Sequence, residues 1–366
     1  MMPTNETHNA DQSLWLDNIT RSMLDDGTLQ RYIDDLSITG LTSNPTIFEH
    51  AISNSDAYDA DIRAAVNDTD TEALFIQMAL ADLARAADLF RQFYDRSIGT
   101  DGWVSMEVSP LLANDPDGTV DAVKKLHGQA GRENMFIKIP GTKAGLYAIE
   151  EATFTGIPVN VTLLFSADQY RAAARAWMRG LERRLQAGLD CNVHSVASLF
   201  VSRWDVAVND KVDAGLRNRL GIAVAAQAWR TYLDLQKSEP WLTLAAAGAP
   251  MQRLLWASTG TKDPEAPDVL YAEALALPGT INTLPDKTLK AFVDHGAADR
   301  AIPEDGGDCD AVIASFGSKG VNISYLAQQL QDEGAKAFVK SWRQLMKNID
   351  DKRQKMTGAS GGTTTT

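Results

Sequence analysis

Residues 158–202 read PVNVTLLFSADQYRAAARAWMRGLERRLQAGLDCNVHSVASLFVS, and the predicted fold follows from this stretch. Its two ends, 158–165 and 192–202, are short runs of β-branched and large apolar residues, which favour strands. Ser166 is a good N-cap for the helical pattern between them, and Gly188 suits the helix end. A strand, a helix and a second strand in this order are typical of parallel strands joined by a crossover helix.

The same alternation continues along most of the chain. Strands are predicted at 13–19, 39–45, 103–110, 134–140, 158–165, 192–202, 253–259 and 279–285. Further helices are predicted at 71–93, 221–235, 286–295 and 326–347. Eight strand–helix units favour a closed barrel, a fold that commonly takes roughly 250 residues. An open doubly wound sheet would usually carry a glycine-rich loop after its first strand, and residues 16–20 contain no glycine. The predicted fold class is α/β, a single (β/α)8 TIM barrel with additional helices.

Composition limits the classes of partner. The 366 residues carry a formal net charge of −13, with 44% apolar and 23% charged residues, as in ordinary globular proteins. This charge excludes a large basic field, so nucleic acid is not an expected partner. Cys191 and Cys309 cannot form a disulfide framework and match no metal-ligand spacing.

The termini and hydropathy predict location and domain bounds. The first twelve residues have neither the cationic nor the apolar segment of a signal peptide, and no apolar run approaches ~18 residues. We therefore expect a cytoplasmic protein without a membrane partner, as a monomer or a homodimer. Residues 1–10 and the low-complexity 357–366 are expected to be disordered, which leaves 11–356 as the barrel domain.

Polar side chains within otherwise apolar strands mark the candidate site. A barrel interior tolerates a charge only when it is paired, neutralised or functional, and active sites of this fold lie at the carboxyl ends of the strands. The polar residues in or directly after the predicted strands are Asp17, Asn44, Glu107, Lys138, Asn160, Thr162, Ser198, Arg203, Ser258 and Asn282.

Lys138, in the run MFIKIP, carries the most specific chemical signal. A desolvated lysine has a lowered pKa, and its neutral amine can attack a carbonyl to form a Schiff base. A lysine paired with a carboxylate for stability alone is an equally good interpretation. Glu107 on the adjacent strand is either a proton-transfer group or a plain ion-pair partner. Asp17 is either a second carboxylate beside the lysine or the N-cap of a helix starting near Arg21.

Two cations follow the sixth and seventh strands, beside hydroxyl groups. Arg203 and Lys262 suit phosphate binding there, although a single exposed cation is most often only solvated. Other polar residues are interpreted as structural. The arginines at i, i+4 spacing from 171 to 183 predict a solvated helix face, and His127, His194 and His295 have no spacing for a metal or a triad.

Six segments, in order, resemble the transaldolases, class I Schiff-base aldolases built on a (β/α)8 barrel, and most closely the longer bacterial form. They are Leu14–Asp17, Thr39–Phe48, Ser105–Val108, Phe136–Pro140, Asn160–Ser166 and Ser198–Arg203, which span a little over half of the chain.

The resemblance implies transfer of a dihydroxyacetone unit from sedoheptulose 7-phosphate to glyceraldehyde 3-phosphate, in the non-oxidative pentose phosphate pathway, without a metal or an organic cofactor. It implies that Lys138 is the nucleophile, Glu107 an acid/base acting through a water held with Thr162, and Asp17 the group that moves the hydroxyl proton. The binding residues that it implies are Asn44, Asn160, Ser198 and Arg203.

The loop after the seventh strand departs from the shorter members of this family. They carry an arginine shortly after the serine, whereas this chain has Ser258-Thr259-Gly260-Thr261-Lys262. We therefore expect Ser258 and Lys262 to complete the phosphate site. A last helix is expected to pack across the barrel mouth, and Ser318 or Lys319 could add phosphate contacts.

Two alternatives remain at this point. One is an aldolase on the same scaffold that cleaves fructose 6-phosphate to free dihydroxyacetone. A tyrosine or glutamine would be expected there in place of the glutamate, so Glu107 favours transfer. The other is a non-catalytic barrel that binds sugar phosphates and forms no covalent adduct.

Overall fold

The computed structural model describes residues 11–65 and 70–360. Its centre is one parallel sheet of eight strands, which confirms the predicted (β/α)8 class. The strands are β1 (Ser13–Leu16), β2 (Gly40–Leu41), β3 (Val104–Glu107), β4 (Met135–Pro140), β5 (Val159–Leu164), β6 (Ser195–Phe200), β7 (Arg253–Ala257) and β8 (Ile281–Leu284).

The strands run in the order β2-β1-β8-β7-β6-β5-β4-β3. Leu41 N donates to Trp103 O at 3.0 Å, and Ser43 Oγ donates to Ser105 O at 2.7 Å. These two bonds join the β2 segment to the β3 segment. The barrel therefore closes through single hydrogen bonds at this seam rather than through a full ladder.

Helices connect the strands in the described ranges. They are α1 (Arg21–Asp25), α2 (Thr28–Leu36), α3 (Pro45–Ser53), α4 (Asp59–Ala64), α5 (Thr71–Arg96), α6 (Pro116–Ala130), α7 (Gly145–Phe154), α8 (Ala167–Gln186), α9 (Ser202–Val208), α10 (Leu220–Gln236), α11 (Glu239–Ala246), α12 (Leu270–Ala274), α13 (Asp286–His295), α14 (Cys309–Ser318) and α15 (Ile323–Ser360). Short 3₁₀ helices lie at Pro110–Leu112, Asn209–Lys211, Ala214–Leu216 and Ala298–Arg300.

The residues that the sequence predicted at the two ends of α8 have the expected roles in the structure. Ser166 Oγ accepts a hydrogen bond from Gln169 N and caps α8. Gly188, with φ +68°, follows the end of this helix in the left-handed conformation that glycine adopts most readily. None of the helices in the described ranges is long and apolar enough to cross a bilayer.

The strands are shorter than predicted, and this changes the position of four candidate residues. Asp17 follows β1, Asn44 follows β2 as the N-cap of α3, Arg203 lies in α9, and Ser258 follows β7. These residues lie outside the strands because the chain turns into a helix or loop at the barrel rim. All four remain at the carboxyl ends of the strands, where the site was expected.

The C-terminal helix α15 crosses that end of the barrel. Gln331 reaches the backbone of Gly141, just beyond β4, and of Leu163, near the end of β5, and Ser341 accepts a hydrogen bond from Thr46 Oγ1 at 2.8 Å. The expected helix over the barrel mouth is thus present. Residues 1–10 and 361–366, expected to be disordered, lie outside the described residues, and the backbone of 357–360 continues α15.

Candidate active site

Aromatic rings fill the barrel beneath the candidate site. Trp103 stacks on Phe136 with ring centroids 3.9 Å apart, and Trp15 lies 6.4 Å from the same ring. Lys138 and Asp17 follow Phe136 and Trp15 by two residues, so they project from the same face of their strands. The charged groups therefore lie directly above a layer of aromatic side chains, which excludes water from the barrel interior.

Lys138 is nearly buried, with 5% of its surface exposed. Its Nζ lies 3.4 Å from Glu107 Oε2 and donates to Ser43 O at 3.0 Å. The register of β3 and β4 places Glu107 directly beside Lys138. Burial raises the pKa of Glu107, while the nearby charge of Lys138 opposes that rise. The pair can therefore exchange a proton over a short distance.

Asp17 lies on another side of Lys138 and is held by Thr42, whose Oγ1 donates to Asp17 Oδ1 at 2.9 Å. Thr42 Oγ1 is also 2.7 Å from Thr283 Oγ1. Burial raises the pKa of Asp17, and the charges of Lys138 and Lys262 oppose this. The alternative role of Asp17 as a helix N-cap is wrong, because Thr20 caps α1.

Asn160 and Ser198 are joined in a buried chain of hydrogen bonds. Ser198 Oγ donates to Asn160 Oδ1 at 2.7 Å, and Asn160 Nδ2 donates to Ser105 Oγ at 3.1 Å. This chain links β6, β5 and β3 and fixes the amide orientation. Thr162 is fully buried two residues further along β5.

Three buried oxygens of Glu107 and Thr162 have no hydrogen-bond partner among the described residues, namely Glu107 Oε1, Glu107 Oε2 and Thr162 Oγ1, although Oε2 lies 3.4 Å from Lys138 Nζ. Buried polar atoms are nearly always paired, because an unpaired one costs about 1–3 kcal/mol. Unpaired atoms beside a buried lysine are typical of a site that binds a polar ligand or water.

Asn44 has a structural role that the sequence did not suggest. Its Oδ1 accepts hydrogen bonds from Thr46 N at 3.0 Å and Ile47 N at 3.1 Å. This cap fixes the side chain at the rim of the barrel. Only the amide Nδ2 is then left to donate to a substrate hydroxyl.

Arg203 is half-buried between α9 and α15. Its guanidinium lies 5.0 Å from the Phe200 ring and close to Gly334, where a Cβ would be 3.2 Å from Nη1. Burial lowers the pKa of Arg203 and the charge of Glu333 partly opposes this, although no carboxylate within 11–65 and 70–360 lies at ion-pairing distance. A desolvated guanidinium without a counter-ion is suited to a phosphate.

Ser258 adopts φ +56°, a region that non-glycine residues rarely occupy. Its Oγ lies 3.0 Å from Ser202 Oγ, and its carbonyl accepts from Ser202 N. These bonds hold the β7 exit loop against the start of α9, near Arg203. Lys262 is exposed in the same loop, close enough to Asp17 for its charge to act on that carboxyl.

Several residues outside this cluster are engaged in other contacts. Arg179 and Arg183 of α8, interpreted as a solvated face, pair with Glu150 of α7, so the arginine face is a helix–helix contact rather than only a solvated surface. Lys319, which with Ser318 was expected as a further phosphate contact, pairs with Asp213 at 2.6 Å, and Ser318 Oγ donates to Ser315 O. Within the ranges that the structure describes, no group of three or more His, Cys, Asp or Glu side chains could hold a metal ion.

Sequence reasoning missed three residues that shape the site. Ser43 contributes a backbone carbonyl to Lys138, and no side-chain pattern reports such a contact. Thr42 and Ser105 orient Asp17 and Asn160. Thr42 and Ser43 lie in the segment Thr39–Phe48 that carries the family resemblance, so this resemblance was the signal that could have identified them from the sequence.

Comparisons with known proteins agree with this geometry. The profile of the family described as Transaldolase/Fructose-6-phosphate aldolase matches residues 14–349. A protein named Transaldolase from Renibacterium salmoninarum is 40% identical over 358 residues, which cover 95% of this chain and 96% of that protein. Proteins of the same name from Thermobifida fusca and Thiobacillus denitrificans are 42% and 41% identical, over 95% and 94% of this chain and 97% and 99% of their own lengths.

Proposed function

The chain belongs to the transaldolase/fructose-6-phosphate aldolase family, and from that premise we propose that it is a transaldolase acting on sugar phosphates. It moves a dihydroxyacetone unit from sedoheptulose 7-phosphate to glyceraldehyde 3-phosphate and yields erythrose 4-phosphate and fructose 6-phosphate. The observation that carries this proposal is the buried Lys138 amine 3.4 Å from Glu107, at the carboxyl ends of the barrel strands. Asp17 completes the group from another side.

Lys138 forms the covalent intermediate. Glu107 accepts the proton that the ammonium loses, and Nζ then attacks the C2 carbonyl carbon of the ketose. A proton moves from nitrogen to the former carbonyl oxygen, which gives a carbinolamine. Protonated Glu107 returns its proton to that hydroxyl, which leaves as water, and the iminium forms. The raised pKa of Glu107 suits a group that must hold a proton between these steps.

Asp17 then controls cleavage and transfer. Its carboxylate removes the proton of the C4 hydroxyl, the C3–C4 bond breaks, and its electron pair moves into the iminium to give an enamine. The aldehyde product leaves. The acceptor aldehyde enters, the enamine carbon attacks it to regenerate an iminium, and Asp17 returns the proton to the new alkoxide oxygen. Water then adds to the iminium carbon, and the reverse of the first steps breaks the C–N bond, which releases fructose 6-phosphate and frees Lys138. The bond from Thr42 fixes the carboxylate for both transfers.

The remaining candidates bind the substrate. Thr162 holds a water with Glu107, and the rigid Ser198–Asn160 pair contacts the three-carbon unit. Asn44 donates its free amide hydrogens to donor hydroxyls. Phosphate is bound by the residues at the barrel rim that carry cations or hydroxyls. They are Arg203, Ser258 and Lys262.

Borohydride trapping tests the proposal directly. Reduction with fructose 6-phosphate should add the mass of one reduced dihydroxyacetone unit to the wild type, and Lys138→Arg should show no adduct. Transfer activity of Lys138→Arg should fall more than about 1,000-fold, because the nucleophile is lost. Lys143→Arg, an exposed lysine just beyond β4, is the matched control and should behave as wild type.

A wild type that is not labelled, or a Lys138→Arg variant that is, would refute a Schiff base at this residue. Without an acceptor aldehyde, the release of free dihydroxyacetone should be slower than the transfer reaction is when an acceptor is present. Release at the same rate in both conditions would identify a lyase rather than a transferase.

A further inference from the structure

A buried glutamine of the C-terminal helix contacts the backbone at the ends of two site strands. Gln331 is 3% exposed. Its Nε2 donates to Leu163 O at 2.9 Å and to Gly141 O at 3.1 Å. Both amide hydrogens of one side chain are therefore used on β4 and β5, the strands that carry Lys138 and Thr162.

The Leu163 carbonyl needs a partner from outside the sheet. The register between β5 and β6 shifts between Val161 and Leu164, which is a β-bulge. Leu163 within this bulge has φ +59°, although it is a fully buried leucine. Such a conformation costs of order 1–3 kcal/mol and persists only when the surroundings impose it.

The same glutamine extends the hydrogen bonding between β4 and β5 past the last backbone hydrogen bond that joins the two strands. Gly141 N donates to Thr162 O at 2.7 Å, and Gln331 then bridges the next two carbonyls. The peptides on both sides of Leu163 are thus fixed, the one that follows Thr162 by the strand and the next one by the helix. One turn later on α15, a Cβ at Gly334 would lie 2.9 Å from Leu163 Cδ2, so the helix backbone lies close against the bulge.

We propose that Gln331 is a positioning residue, which imposes the bulge at Leu163 and thereby places the Thr162 hydroxyl for proton transfer at Glu107. This inference rests on the proposed function. Gln331 does not touch the substrate; it acts through the backbone that carries Thr162. Bulges beside active sites commonly re-aim a side chain in this way.

Gln331→Met tests the proposal, because methionine keeps the length of the side chain and removes both donors. The kcat for transfer should fall about 10- to 100-fold with KM within about threefold, since a misplaced group near the chemistry costs up to roughly 100-fold. The acid limb of the kcat pH profile should also move. Gln329→Met, an exposed position of the same helix, is the matched control and should change neither.

Gln331→Glu gives a second, independent measurement. A buried carboxyl has a raised pKa, and only its protonated form can donate a hydrogen bond. The kcat of Gln331→Glu relative to wild type should therefore rise as the pH falls. A purely structural role would give no such pH dependence, and this variant also serves if Gln331→Met does not fold.

The outcomes separate the two proposals. Borohydride labelling of wild-type Lys138 tests the function alone, and both Gln331 variants should still be labelled. If wild type is labelled but the folded variants keep the wild-type kcat and pH profile, the positioning role is refuted and the function stands. If wild type is not labelled, the function itself fails.

Discussion

The two ends of the barrel differ in how their charged side chains are paired, although among the described residues the amino end also has two unpaired amide oxygens, Asn134 Oδ1 and Gln252 Oε1. At the amino ends of the strands, both carboxylate oxygens of Asp101 accept hydrogen bonds, and Arg253 donates from Nε, Nη1 and Nη2 at 2.8–2.9 Å. At the carboxyl ends, Glu107 Oε1 and Thr162 Oγ1 have no partner among the described residues. The donors to Asp101 are Ser13 Oγ, Trp15 Nε1, Thr39 Oγ1 and Gly102 N.

Two non-glycine residues with positive φ that are at least half-buried, Leu163 and Ser258, lie at the carboxyl ends of their strands. The exposed Ser37 and Ile98, also with positive φ, precede β2 and β3. Buried strain costs stability and is retained where it serves function. The charged groups of the amino end therefore hold the barrel together, while those of the carboxyl end stay free for a ligand. Substitutions at the two ends should affect different measurements.

The largest effect is expected at the carboxyl end, for Glu107→Gln. Losing the acid/base group should lower kcat about 100- to 10,000-fold. Burial raises the pKa of Glu107, so its ionised form is disfavoured in the fold, and the free energy of unfolding at pH 7 should fall by no more than about 1 kcal/mol. Steady-state kinetics and urea unfolding of the same samples check both expectations.

The pH profile provides the control for this variant. Below the raised pKa of Glu107 the carboxyl is already protonated and cannot accept the lysine proton. The acid limb of wild-type kcat/KM should thus lie above 4.5, the ordinary value for glutamate, and disappear in Glu107→Gln. A limb that persists unchanged in the variant would assign the proton transfer to another group.

The reverse result is expected at the amino end, for Arg253→Met. The variant loses four hydrogen bonds, which the arginine donates to Ser13 Oγ and to the carbonyls of Thr100, Gly279 and Thr280. The free energy of unfolding should therefore fall by roughly 2–4 kcal/mol. The kcat of the folded enzyme should stay within about twofold. Arg91→Met, which breaks two exposed ion pairs, should leave stability close to that of wild type. A large loss of kcat in Arg253→Met would show that the two ends are coupled.

His194 sharpens the same contrast through pH. It precedes β6 at the amino end, and burial together with the charge of Arg253 lowers its pKa to about 4. Between pH 6.5 and 4 the unfolded chain binds this proton and the folded chain does not, so stability falls as the pH falls. The loss amounts to at most about 3 kcal/mol. Unfolding curves should show that the free energy of unfolding differs less between pH 7 and pH 4 for His194→Gln than for wild type. An equal difference in the two proteins would contradict the low pKa of His194.

Much of the fold and part of the site were predictable, because their signals are local. Short apolar runs predicted the eight strands. Glu107 and Lys138 lie at matching positions of adjacent strands, so their pairing could be predicted as well. Ser166 and the helix that it caps were visible for the same reason. Such features depend on a few consecutive residues.

The contacts that could not be predicted join distant parts of the chain. Gln331 reaches Gly141 across 190 residues, and nothing in its own helix distinguishes it from Gln328 or Gln329. The bulge at Leu163 depends on packing from α15 and not on a glycine or proline in the strand. Asn44 was recognised as a site residue, but its capping role required knowing that β2 ends at Leu41.

The smallest effect is expected for Lys262, which tests whether the carboxyl end uses exposed as well as buried cations. Lys262→Ala should raise KM for phosphorylated substrates about fivefold and leave most of kcat, because an exposed cation contributes about 1 kcal/mol or less. The half-buried Arg203 should matter more, so Arg203→Lys should raise KM further. Lys124→Ala, on the outer helix α6, controls for the change in net charge. A KM for Lys262→Ala equal to that of Lys124→Ala would remove Lys262 from the site and leave phosphate binding to the desolvated guanidinium.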